Sequence, residues 1–416
     1  MTNAPDGASR SLLHLLHVES TENVHTLTPQ AWEAVVELAL RQSVAPLLHR
    51  RLQVDGGLAQ IPAAQACLLV AERRATALRN LRNYGEFRRV ARMLGEAGIP
   101  FVALKGLHLA DLVYRDIGLR PMSDLDILVP RAQLERALAA LRAGRYGFNE
   151  MLAASVDALA NVNEMVLVQE DLGIQLDLHW QLNEPREAAG DLLAEVWRCA
   201  RPARPGGAQA LVLSPEILLL HICAHFACTD VFAFNIRPLC DIAEIVQAHP
   251  TLDWDVVTEQ GSRYGWTRGI AAALRLARDH LAVPVPAPVL AALGGDALDP
   301  AMLGDALAQA IASTSLPKGL AIAPNLLALA GDSSFRAKAG VLWRRVFVPR
   351  AELALHYGVP PQSARLPLYY GLRMRDLARR YAAGVRALVA GDPVLAETAA
   401  RRVRLQRWLS GVPERD

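Results

Sequence analysis

Two carboxylates placed two residues apart, Asp124 and Asp126, interrupt the apolar run Ser123-Asp124-Leu125-Asp126-Ile127-Leu128-Val129. If this run is a strand, its side chains alternate between faces, so both aspartates share one face while Leu125, Ile127 and Val129 enter a core. Aspartate is disfavoured in strands, and two at period two require a reason. The plain reason would be one Asp capping the strand's start and another at an exposed edge. The chemical reason is a cation: neighbouring carboxylates repel, and Mg²⁺ shared with phosphate oxygens is the usual occupant that lets both ionise. Asp177 repeats the pattern, because in Ile174-Gln175-Leu176-Asp177-Leu178-His179-Trp180 the residues Gln175, Asp177 and His179 alternate with the apolar ones. A third carboxylate is what a two-metal site for phosphoryl or nucleotidyl transfer needs.

The elements that must carry these residues can be read from periodicity. Apolar residues recur at helical spacing from Leu12 to Gln53, and Pro62 opens a long helical pattern ended by Gly95 and Gly98. The first ten residues are polar and are expected to be disordered. A short strand over Pro100 to Leu104 runs into Lys105-Gly106 and a helix from Leu107 to Tyr114. The Asp124 to Val129 strand follows, then a helix after Pro130 whose apolar face is Leu134, Ala137, Leu138 and Leu141, stopped by Gly144 and Gly147. Asn163 to Val168 and Ile174 to Trp180 alternate around Glu170-Asp171-Leu172-Gly173, a hairpin signal. Beyond Glu184 everything reads helical, with Pro202 to Gly207 as a loop. The fold class is therefore α+β, a small α/β core between mainly helical regions. The expected division is 1–95 helical, 96–185 core, 186–330 a helical acceptor-side domain and 331–416 a helical C-terminal region.

The run Phe101-Val102-Ala103-Leu104-Lys105-Gly106, then Tyr114, Arg120, the Asp124/Asp126 strand and Leu176-Asp177-Leu178-His179-Trp180 resembles a bacterial nucleotidyltransferase family of the DNA polymerase β-like superfamily. The resemblance covers about Ile99 to Trp180. It implies that Asp124 and Asp126 are the metal-binding pair, Asp177 the third acid, and Gly106 the turn glycine beside the triphosphate. It implies Mg²⁺ or Mn²⁺ as cofactor and a nucleoside triphosphate as donor, with a nucleoside monophosphate passing to an acceptor hydroxyl. The superfamily turn is commonly Gly-Gly or Gly-Ser, whereas here it is Lys105-Gly106. The acceptor stays open among small molecule, peptide, protein and RNA. A toxin-like or regulatory enzyme acting on RNA or protein would use the same acids; an inactive nucleotide-binding scaffold would be expected to have lost them.

Other residues are read beside the acids. Lys105 is one of three lysines, with Lys318 and Lys338, in a chain whose other basic residues are arginines, and it can lend a point charge to phosphates. That Arg-rich, Lys-poor usage suggests a GC-rich bacterial genome. Arg120 can clamp a phosphate or pair with an acid, and Ser123 can offer a hydroxyl to phosphate or cap the turn. His221 and His225 stand four apart on a helix near Cys223 and Cys228, but Cys223 points off the histidine face, which disfavours zinc. With Arg237 and Asp241 they either line the acceptor cleft or only pack. The Arg-rich tail has acids interspersed and few aromatics, the composition of a solvated face more than of an RNA groove.

Composition excludes several classes. Length of 416 residues argues for more than one core, and a net charge of +2 leaves no global basic field to recruit nucleic acid. Five cysteines at irregular spacing, with no signal-like N-terminus, fit a reducing cytoplasm. Apolar stretches break well before the roughly 18 residues of a membrane span.

Overall fold

The computed structural model describes residues 6–17, 27–54, 56–148, 164–182, 189–312, 362–389 and 393–411, with isolated positions between 343 and 359. Lys318, Lys338 and the expected boundaries at 185 and 330 lie outside these residues. The architecture is α+β. Helices α1 (Gly7–Leu15), α2 (Pro29–Arg41), α3 (Ala45–Val54) and the 34-residue α4 (Ala63–Glu96) precede the sheet. Next come β1 (Val102–Ala103), α5 (Lys105–His108) continuing as a π turn over Leu109–Val113, β2 (Asp124–Leu128), α6 (Leu134–Ala143), β3 (Tyr146–Phe148), β4 (Glu164–Gln169) and β5 (Gln175–His179). Then α7 (Ala189–Cys199), β6 (Arg201–Ala203) and β7 (Ala210–Val212) lead into α8 (Pro215–Ala224), α9 (Arg237–Ala248), α10 (Trp254–Arg263), α11 (Thr267–Leu281), α12 (Ala287–Ala292) and α13 (Pro300–Ala312). Two tail helices, α14 (Leu366–Val389) and α15 (Pro393–Ser410), complete the described chain.

The seven strands lie in the order β3-β4-β5-β2-β1-β7-β6. The hairpin expected around Glu170 to Gly173 is β4–β5, antiparallel, with Gly173 at φ +64° where a side chain would be strained. Strand β5 then lies parallel to β2 in a register that sets Asp126 opposite Asp177. One sheet face presents Leu125, Ile127, Leu176 and Leu178 to Phe87, Val90 and Leu94 of α4 and Leu138 and Leu141 of α6. On the other face Val102, Leu104 and Leu128 join a larger core made with the helical body, including Leu218 of α8, Leu239 of α9 and Leu274 of α11. The acids stand on this second face.

Helix α4, about 50 Å long at the helical rise, touches both cores and holds the loops that flank the site. Asn80 Nδ2 donates to the carbonyls of Ile117 and Arg120 at 2.6 and 2.8 Å, Asn83 Nδ2 to Met122 at 3.0 Å, and Tyr84 Oη to Leu107 at 3.0 Å. These buried polar side chains complete the accounting for loop carbonyls that no strand or helix satisfies.

Three sequence expectations are corrected. The chain is helical from Gly7, because Asp6 caps α1 by accepting from Ser9 N at 2.8 Å and Leu12, Leu13 and Leu15 bury its apolar face. The Pro202 to Gly207 segment is not a simple loop: β6 and β7 pair as a hairpin, with Pro202 on the edge strand where a missing N–H is tolerated, and β7 pairs parallel to β1. Chain beyond Glu184 therefore contributes to the sheet. Gly147 lies inside β3, which pairs with β4, instead of only ending α6.

Burial of neutral imidazole sets a pH dependence. His108 on α5 is 5% exposed, and burial, helped by His249, pulls its pKa down to about 4. The unfolded chain takes up a proton below about pH 6.5 that the folded chain refuses, so this contribution is full above that pH and is lost as pH falls through 4. We expect roughly 2 kcal/mol of stability lost between pH 7 and 5 through this residue. Denaturant midpoints across that range check it, with a shallower slope expected for His108→Gln.

Candidate active site

The alternation of β2 and β5 delivers Asp124, Asp126 and Asp177 to the same sheet face, since residues opposite each other in register project together. Asp126 is 2% exposed on a central strand, which disposes of the edge explanation for it. Its Oδ1 accepts from Lys105 Nζ at 2.9 Å and contacts His179 Nε2 at 3.0 Å, and His179 Nδ1 meets Glu164 Oε2 at 3.0 Å. Glu164 lies on β4 opposite His179. Sequence reasoning left His179 and Glu164 out of the site. The hairpin register held the signal, because a turn at 170–173 brings position 164 beside 179 on the acids' face.

The electrostatics follow from these partners. Burial alone would raise the Asp126 pKa, but Lys105 and His179 overcome it and hold the carboxyl far below its usual range. Burial likewise pulls His179 down, while its bonds to Asp126 and Glu164 carry it up to about 9, so it stands as an imidazolium between two carboxylates. Among the described residues Asp177 has no such cation. Burial, then the charges of Asp126 and Asp124, push it up to about 7, and its Oδ1 accepts from Gln175 Nε2 at 2.9 Å. Asp124 is raised by burial and then by Asp126, with Lys105, Arg237 and the neighbouring Ser123 hydroxyl acting against the rise.

Lys105 opens α5, separated from β1 by Leu104 alone, and holds φ +36°, a backbone region that a β-carbon rarely enters and that recurs at functional turns. The glycine beside it is required by space: a Cβ on Gly106 would come within 2.8 Å of Met122 Cγ and 3.0 Å of Arg120 Nη1. Of the two roles open to Arg120, the structure shows pairing with an acid. Its Nε and Nη2 donate to the two Asp241 oxygens at 3.1 and 3.0 Å, and Tyr114 Oη donates to Asp241 Oδ1 at 2.8 Å. Arg237, at the start of α9, donates through Nη1 to the Pro121 carbonyl at 3.3 Å. His221 is 2% exposed, and neither of its ring nitrogens has a hydrogen-bond partner among the described residues; His225 Nδ1 contacts Asp230 Oδ2 at 3.1 Å. In the tail, Arg404 pairs with Asp305 and the largely buried Arg402 donates to the Asp230 carbonyl, so part of the basic surface is committed to packing.

A family model described as uncharacterised nucleotidyltransferase matches residues 28–282, more than half of the chain. The chain belongs to this nucleotidyltransferase family. No curated protein and no solved structure matches it. The family match spans every strand of the sheet and helices α2 to α11, and so includes the three acids, Lys105, Arg120 and α9.

The donor set suits a hard divalent cation, since Asp124, Asp126 and Asp177 supply carboxylate oxygens whose mutual repulsion a dication would relieve. They do not form a finished cage: among the described residues no three His, Cys, Asp or Glu side chains are gathered as a metal-holding group. The Lys105 ammonium and the His179 imidazolium instead supply the positive charge at Asp126.

The acids should therefore differ in their effect on stability. Asp126→Asn leaves two buried cations short of their counter-ion and should destabilise the metal-free protein by about 3–5 kcal/mol. For Asp177 the sign is opposite: a folded-state carboxyl raised to about 7 gives stability that is present at low pH and lost as pH rises through 7. At pH 8 in chelator, Asp177→Asn should stabilise by on the order of 1–2 kcal/mol. Thermal unfolding of the two variants beside the wild type tests the pair.

Proposed function

We propose that this nucleotidyltransferase moves a nucleoside monophosphate from a nucleoside triphosphate to an acceptor hydroxyl in a Mg²⁺- or Mn²⁺-dependent reaction. The observation that carries the reading is the in-register pair Asp126 and Asp177 with Asp124 beside them, three carboxylates facing one way from adjacent parallel strands. Asp124, Asp126 and Asp177 would hold the metal, which neutralises charge developing on the α-phosphate and the departing pyrophosphate when bound.

The chain's own groups do the rest. Asp177, outside the Lys105–Asp126–His179 cluster, receives the acceptor hydroxyl's proton as the new O–P bond forms and the bond to pyrophosphate breaks. His179 and Lys105 keep Asp126 ionised. Gly106 lets the 120–122 loop approach closely, which fixes Asp124 relative to Lys105. The helical elements after residue 186 form the acceptor side, and His221 of α8 and His225, the first residue of the π turn His225–Thr229 that continues α8, belong to that wall. Cysteines 67, 199, 223, 228 and 240 form no disulfide with one another, which supports a reducing compartment, the cytoplasm of a bacterium. Among the described residues no helix is long and apolar enough to cross a membrane.

Transfer from α-phosphate-labelled nucleotides in cell extract tests the reading. Label should pass to an acceptor with wild type and fall roughly a thousandfold or more with Asp124→Asn or Asp177→Asn, both expected to stay folded. Thermal stability should rise with nucleoside triphosphate plus Mg²⁺ much more than with either alone. Absence of transfer with every nucleotide, or unimpaired transfer by both variants, would sink it.

A further inference from the structure

The charges around the acids pair off unevenly. Lys105 and His179 serve Asp126 and Glu164, and Arg120 with Tyr114 serves Asp241. Among the described residues around the site, Asp124 and Asp177 remain without an ion-paired cation, and one cation remains without an ion-paired acid. That cation is Arg237. Its Nη1 has a backbone carbonyl, its Nε is buried without a partner, and among the described residues no carboxylate lies within ion-pair distance of it.

Arg237 is nonetheless enclosed by charge. The charges of Arg120, Asp241 and Asp124 all act on it, and its Nη1 is held by the Pro121 carbonyl three residues before Asp124. Burial and then the like charge of Arg120 lower its pKa, the mark of a guanidinium whose charge its surroundings do not balance. A half-buried cation whose Nε is shut off from water without a partner is costly unless an anion joins it. The planar guanidinium matches phosphate oxygens two at a time, which an ammonium cannot do. The leftover acids call for a dication and the leftover arginine for an anion; a metal–polyphosphate complex brings both.

We propose that Arg237 grips the polyphosphate tail of the donor nucleotide. The assignment rests on the nucleotidyl-transfer reading and gives the clamp, one of the two roles the sequence left open to Arg120, to the arginine Asp241 leaves unpaired. Arg120 is a positioning residue, because two of its nitrogens are engaged by Asp241 and it orders the loop whose Pro121 carbonyl receives Arg237.

The test uses the full chain, with tripolyphosphate in saturating Mg²⁺ followed by calorimetry and Mn²⁺ alone followed by its free-ion spin resonance signal. Arg237→Gln should bind tripolyphosphate roughly tenfold or more weakly, and Arg237→Lys should fall between. The same Arg237→Gln variant should bind Mn²⁺ as tightly as wild type or more tightly, because a like charge has left Asp124's side. A merely structural arginine would instead weaken both ligands together and lower the melting temperature. Unchanged tripolyphosphate affinity in Arg237→Gln, parallel loss of both ligands, or no tripolyphosphate binding by wild type would each overturn the assignment. If the grip is found but no label is ever transferred, the transfer reading falls alone. If label is transferred and Arg237→Gln keeps the wild-type KM for triphosphate, the grip falls alone.

Discussion

A carboxylate placed in the middle of a seven-stranded sheet needs counter-ions, and the site is arranged around that need at Asp126. Leaving it charged and unpaired there would cost several kcal/mol. Two neighbouring strands answer it from opposite sides. Lys105 arrives from the end of β1, at the expense of an unfavourable backbone angle, and His179 arrives from the end of β5 with Glu164 behind it. The outcome is a charged cluster, buried at Asp126 and His179 and open to solvent at Glu164, next to two acids that no cation pairs with among the described residues. Unequal treatment of three like groups is how a fold keeps one carboxylate ionised and leaves another able to exchange a proton near neutrality.

The same cluster sits where the two cores meet. Leu125 and Ile127 tie β2 to α4 and α6, while Leu128 on the other face joins the helical body. Across that junction runs the buried Arg120–Asp241 pair with Tyr114, a link between the loop before β2 and helix α9. Such a pair contributes little net stability against an apolar alternative, but removing one partner is severe. Its geometric effect is to tie α9, which begins at Arg237, to the loop that leads into Asp124. Asn80 and Asn83 of α4 hold the same loop from beneath.

The polar apparatus is expensive, and the apolar cores offset it. Both cores are continuous and nearly solvent-free, with Trp32, Phe87, Trp180 and Phe226 among the largest buried side chains. Departures from regular helix lie near the site: α5 and α8 each continue into a π turn, a form that recurs at functional positions. After α8, Val231, Phe232 and Phe234 take positive φ before α9 begins at Arg237. Strain of this kind is tolerated only where surrounding packing over-determines it.

Much of this was legible in the chain itself wherever the physics is local. Alternation at period two placed Asp124 and Asp126 on one face and Asp177 with His179 on another strand's face, because strand geometry leaves no other choice. The Asp171 to Gly173 turn announced the β4–β5 hairpin, and Pro62 and Pro130 marked helix starts. Short strands β3, β6 and β7 escaped, since three residues carry too little pattern and their pairing is supplied by neighbours far along the chain. Which strand lies beside which was also beyond local reading: Asp126 meets Asp177 only because β5 adds parallel to β2. Above all, the sequence shows which residues bear charge but not how the charges pair. Arg120 and Asp241 are 121 positions apart, and Lys105 and Asp126 are 21 apart. Coulomb energy depends on distance in space, so only the folded arrangement decides that Arg120 is engaged by Asp241 and Arg237 is not.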